Sequence, residues 1–147
     1  MSLKVRLKEQ QIAAMRAKDK ARLGTIRMLL AAVKQIEIDD HVELDDDQIT
    51  LVIVKAVKQR KDSIAQFEKA NRVDLADVEK TELAILQEFL PQPLTSDEVQ
   101  ALVEQAVTSS GAAGMQDMGK VMGLLKKDIE GRADMGEVSA LVRAKLA

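Results

Sequence analysis

The 147-residue chain has no Cys, Trp or Tyr, and only one His, two Phe and two Pro. Without Cys there is no disulfide framework, no thiol nucleophile and no Cys-based zinc site, which suits a reducing compartment. A single His, His41, cannot build a multi-histidine metal centre, so no metal is expected. It lies among acids with no Ser or Cys nucleophile paired to it, and reads as a solvated loop residue. Two Phe cannot form the stacking platforms that most single-strand nucleic-acid binders use, so recognition-motif and oligonucleotide-barrel readings fall away. Nowhere do 18 apolar residues run together, and the opening MSLKVRLKEQQ alternates charge with apolar residues instead of forming a signal-peptide core. The expectation is a soluble, cytoplasmic protein with no membrane partner.

What is present is aliphatic mass. Hydrophobic residues make up 46% of the chain, including 19 Ala, 17 Leu, 14 Val and 9 Ile, enough to bury a core. They recur at three- and four-residue spacing, and strict alternation nowhere persists, which predicts an all-α fold. Ser2 is the expected cap of a first helix carrying Leu3, Leu7, Ile12 and Met15. Asp19 caps or kinks the passage into a second, which runs to about Ile38 with Leu23, Ile26, Leu29, Leu30, Val33 and Ile36 on one face. Glu37 to Asp47 holds seven acids and no Lys or Arg, and reads as a solvated connection. A third helix, from about Gln48 to Ala70, has the stripe Ile49, Val52, Ile53, Ala56, Val57, Ile64 and Phe67 and is long enough to lie antiparallel along the second. Asp74 is placed as the cap of a fourth, with Leu75, Val78, Leu83, Leu86 and Leu90, which Pro91 stops.

Six of the seven Gly lie from Gly111 onward, and the composition shifts at Pro91-Gln92-Pro93. The boundary is drawn there, giving domains 1–92 and 93–147. Thr95 with Glu98 forms a capping-box pattern opening a helix with Val99, Leu102, Val103 and Ala106. Shorter helices are expected near Met118 to Ile129 and Met135 to Leu146, with Gly131 at a C′ position and Asp134 with Glu137 repeating the cap pattern.

Candidate chemistry thins out on inspection. The run from Gly114 to Gly119-Lys120 approaches a phosphate loop, but Val121 stands where a magnesium-binding hydroxyl belongs and no strand precedes it. The ordinary reading of these glycines is that they let helices approach closely. Asp45 and Asp47 suggest a calcium loop, but Ile49 and the missing turn glycine break it. No cofactor and no catalytic constellation is expected. Charge is more telling: Arg16, Lys18, Lys20, Arg22, Arg27 and Lys34 face one acid, Asp19, in their stretch. If the second and third helices pair, Arg27 meets the level of Lys58 and Lys61, so Arg16, Lys20, Arg27, Lys58 and Lys61 form a candidate basic patch, or else an ordinary solvated face. Arg60 projects into the apolar stripe, where a charge needs a partner: it is either a structural ion pair with a helix-four acid such as Glu79 or Glu82, or a cation facing a groove.

The stretch KQRKDSIAQFEKANRVDLADVEKTELAILQEFLPQPL at 58–94, followed by DMGKVMG at 117–123, resembles the GatB/YqeY family over essentially the whole chain. The resemblance implies an N-terminal helical domain and a C-terminal three-helix domain. The latter is similar to the tail of the B subunit of the glutamine-dependent aspartyl/glutamyl-tRNA amidotransferase, a carbon–nitrogen ligase whose tail helps hold tRNA. The tail-like pattern falls on Gly119-Lys120-Val121-Met122-Gly123 and Gly131-Arg132-Ala133. The catalytic part of that subunit is absent from this chain.

The resemblance therefore implies a non-catalytic, tRNA-interacting accessory module, acting beside an amidotransferase or another translation enzyme. Lys120, Lys126, Lys127 and Arg132 are its candidate phosphate contacts, with Gly119 and Gly123 permitting close backbone approach. Against a strong phosphate grip, residues 93–147 hold six basic and eight acidic residues. Two alternatives stay open: a protein–protein adaptor, and an amidotransferase component active only in a complex.

Overall fold

The computed structural model describes residues 2–147 and consists of seven α-helices and one 3-10 turn, with no strand among the described residues. The all-α expectation holds. The chain divides into two compact units, one reaching Leu90 and the other running Pro91–Ala147.

The first unit contains α1 (Leu3–Arg16), α2 (Lys20–Asp40), α3 (Asp46–Lys69) and α4 (Val73–Gln87). Each start has a local cause. The Ser2 hydroxyl accepts from Val5 N, Asp19 from Arg22 N, and Asp45 with Gln48 makes a reciprocal capping box. At the α2 C-terminus His41 is itself the cap, in the left-handed region at φ 53°, with its N–H donating to Glu37 O. Lys18 and Asn71 adopt the same conformation in the other two turns. The core gathers Leu7, Ile26, Leu29, Val33, Leu44, Ile49, Ile53, Val57, Leu86 and Phe89.

Four local expectations are revised. On α1 the buried face is Leu7 and Ala14, while Ile12 and Met15 point outward; Val78 of α4 is exposed as well. Asp74 is not a cap, since α4 begins at Val73 behind Arg72, which makes no side-chain cap bond and instead pairs with Asp74. Helix α4 ends at Gln87, before Pro91. The cause is tertiary: Phe89 turns into the core, the guanidinium groups of Arg6 and Arg22 lie 5.1 and 5.9 Å from its ring centroid, Arg6 donates to Glu88 O, and Arg22 pairs with the Glu88 carboxylate.

The second unit contains α5 (Ser96–Ser110), the 3-10 turn Met115–Asp117, α6 (Met118–Ile129) and α7 (Met135–Leu146) around Val99, Val103, Val121, Leu125, Ile129, Val138 and Val142. Thr95 and Glu98 form the full capping box. Gly111 at φ 67° and Gly131 at φ 78° follow α5 and α6 in the conformation that glycine adopts without strain. Asp134 accepts from Gly136 N, so it caps α7 without the reciprocal bond that Glu137 suggested.

Candidate functional site

The α6 sequence MGKVMGLLKKDI divides cleanly at about 100° per residue. Val121, Leu125 and Ile129 are buried, whereas Gly119, Lys120, Gly123, Leu124 and Lys127 are exposed on the outward side. Both glycines are open to solvent: a Cβ built on Gly119 or Gly123 meets nothing within 4 Å. The reading that Gly119 lets helices of this chain pack closely is therefore corrected, because no neighbour occupies that space.

Three residues of this face are locally unfavourable. Glycine inside an exposed helix costs about 1 kcal/mol relative to alanine. Lys120 stands in the first turn, where the helix dipole disfavours a cation; the N-cap residue Asp117 is an acid, but its carboxylate accepts from Ala113 N and makes no capping bond to α6. Lys126 and Lys127, in the last turn, are instead favoured by the dipole. Lys127 shares the side of Lys120 one heptad earlier; Lys126 projects about 100° away.

Arg132 is engaged elsewhere. It is half-buried, its Nε donates to Gln92 O at 3.1 Å, and its carbonyl accepts from Leu94 N at 2.8 Å, tying the 91–94 segment to the α6–α7 turn. Hydrogen bonds from Thr95 hold the Glu98 carboxyl below its ordinary range, and the charge of Arg132 adds to that.

In the first unit Arg16, Lys20, Arg27, Lys58 and Lys61 are all exposed, and none has a carboxylate within 4.0 Å among the described residues. Arg60 reaches Met28 Sδ at 3.3 Å, so α2 and α3 match levels here, but Met28 is the side chain that meets α3 and Arg27 lies about 100° further round α2. The charge within the apolar stripe resolves as an ion pair. Arg60 Nε donates to Glu82 Oε2 at 2.7 Å and lies 3.2 Å from Glu79 Oε2, which receives the charge but no hydrogen bond because the single Nε proton is already used. No group of three His, Asp or Glu side chains is positioned to hold a metal among the described residues. Sequence reasoning overlooked Leu124, half-exposed beside Lys120; its spacing of four from that residue was the available signal.

A family model described as a Yqey-like protein matches residues 4–146. Among curated proteins the chain is 42% identical over 105 residues to altered inheritance of mitochondria protein 41, mitochondrial, of Kluyveromyces lactis, covering 69% of this chain and 57% of that protein. The protein of the same name from Pyrenophora tritici-repentis is 32% identical over 122 residues, covering 82% and 67%. An uncharacterised protein of Schizosaccharomyces pombe is 28% identical over 91 residues, covering 62% and 74%. The chain spans somewhat more than half the length of the first of these relatives. The expectation of a cytoplasmic protein is corrected by these names, which describe mitochondrial proteins. Its grounds, no cysteine and no long apolar run, do not distinguish one reducing compartment from another.

Proposed function

The chain belongs to the YqeY-like family, and for it we propose a non-catalytic role in which the outward face of α6 holds the phosphate backbone of a tRNA. The observation that carries this reading is the cost of that face. Gly119, Lys120 and Gly123 each weaken α6 locally, and the space above both glycines is empty. A bare helix surface flanked by Lys120 and Lys127 lets a sugar–phosphate strand approach the backbone closely, with two cations in reach of adjacent phosphates. Arg132 then supports the face by fixing the α6–α7 turn, and Lys126 adds charge at the edge. The resemblance to the amidotransferase tail supports the same reading, with the module acting beside an amidotransferase or another translation enzyme. Half-exposed Leu124 beside the lysines favours a second reading, a protein partner docked on the same face.

Titration of bulk tRNA into the purified protein at two salt concentrations tests the proposal. Two phosphate contacts predict a log–log salt slope of about 2, and Lys120→Glu with Lys127→Glu abolishes binding at low salt. Gly119→Ala with Gly123→Ala weakens tRNA binding although it stabilises the helix. No binding at low salt, or binding unchanged in both variants, removes the RNA reading, and nuclease-resistant capture of one defined protein replaces it with the second.

A further inference from the structure

Helix α1 is apolar on two faces. Leu3, Leu7 and Ala14 turn inward, while Val5, Ile12 and Met15 form an outward stripe at helical spacing, each about half-exposed. Lys8 and Arg16 lie along that stripe, exposed and without a carboxylate within 4.0 Å among the described residues, with one exposed acid, Glu9, at its edge. An apolar face that nothing in its own unit covers marks a contact surface, and its flanking cations demand an acidic one.

The same unit carries such a surface. From the last turn of α2 to the first turn of α3 the exposed acids Asp39, Asp40, Glu43, Asp45, Asp46 and Asp47 accompany the half-exposed Ile38 and Val42. Of these acids only Glu43 lies within 4.0 Å of a Lys or Arg among the described residues, at 3.7 Å from Lys4 Nζ. The two surfaces are neighbours on one side of the unit. Leu3 N donates to Asp46 Oδ1 at 2.9 Å, and Val5 and Lys8 share the lining of an open groove with Glu43, Asp45, Asp46 and Asp47.

We propose that this juxtaposition is self-complementary: two copies of the chain pair about a two-fold axis, the outward face of α1 in each meeting the acidic α2–α3 segment of the other. A two-fold exchange makes each contact twice and closes the assembly. A 14-residue helix is about 21 Å long and about 10 Å wide, so even the doubled contact lies at the small end of protein interfaces, and the dimer is weak and reversible.

Sedimentation equilibrium of the full chain, up to about 0.5 mM at low salt, tests this. The expected result is concentration-dependent dimerisation that weakens about tenfold or more between about 0.05 and 0.5 M salt. Lys8→Glu with Arg16→Glu yields a monomer, as does Asp40→Lys with Asp47→Lys; these acids make no hydrogen bond that caps a helix. An equimolar mixture of the two variants restores dimers, because both contacts then oppose unlike charges, and this recovery also shows that both variants are folded. A wild-type chain that stays monomeric overturns the proposal, as do reversal variants that associate like wild type or a mixture that stays monomeric. Association only on anionic lipid vesicles or only with RNA equally overturns it, and assigns the α1 face to that surface instead.

Discussion

The two units use charge for different ends. In the first, every charged residue that is not exposed sits in an ion pair between helices: Lys4 with Glu37, Arg22 with Glu88, and Arg60 with Glu79 and Glu82. These pairs join α1 to α2, the segment after α4 to α2, and α3 to α4. The second unit is assembled mainly from aliphatic contacts and side-chain caps, its one ion pair between helices among the described residues being the exposed Lys145 with Glu104, and Lys120 and Lys127 stand without a carboxylate within 4.0 Å on a helix that carries two glycines. A cation at a helix–helix seam is explained by its own fold, whereas a cation on a bare outward face is not. The search for function belongs on the second kind.

The largest expected effect breaks the first unit's side of this contrast. Phe89→Ala removes a buried ring together with the platform for Arg6 and Arg22, and should lower stability in urea unfolding by about 3–5 kcal/mol. Next, Arg60→Ala leaves Glu79 and Glu82 facing one another unpaired and should cost about 2 kcal/mol, part of which returns when Glu82→Gln is added. Lys120→Ala, measured alongside, should change stability by no more than about 0.5 kcal/mol. Equal losses for the two cations would erase the distinction. Gly119→Ala with Gly123→Ala should raise the melting temperature, Gly123→Ala in the helix interior contributing about 1 kcal/mol and Gly119→Ala in the first turn less, since neither added methyl meets a neighbour.

The smallest effect concerns pH. Glu37 is held below its ordinary value first by the hydrogen bond from Lys4 and then by the N–H of Leu44. A carboxyl depressed in the folded state contributes stability that is present above its ordinary titration range and lost as pH falls through the folded value. Lys4, raised chiefly by the same bond, contributes stability lost only as pH climbs through its folded value, above the ordinary lysine range. Thermal melts from mildly acidic to strongly acidic pH should therefore fall less steeply for Glu37→Gln than for wild type.

Much of this was legible before the fold. The Ser2, Asp19 and Thr95–Glu98 caps, the α6 and α7 ranges and the pairing of Arg60 with a helix-four acid all follow from spacing and residue type, because caps and amphipathic periods are local properties. The outward turn of Ile12, Met15 and Val78 was not legible. Periodicity reports that a stripe exists, not whether a neighbour arrives to cover it, and α1 carries apolar residues on both of its sides. The cellular compartment was misread because composition records redox conditions, not address.

Read alone, the residues decided an all-α chain, most of its helix ends and its family, since these rest on interactions within a few positions or on motifs that need no partner. Tertiary structure alone decided what each unusual residue does. It gave Arg22 to Phe89 and Glu88, Arg132 to the carbonyl of Gln92, and nothing to Gly119 and Gly123. The physical reason is that a side chain's role depends on which distant segment occupies the space it projects into, and that space exists only once the helices have packed.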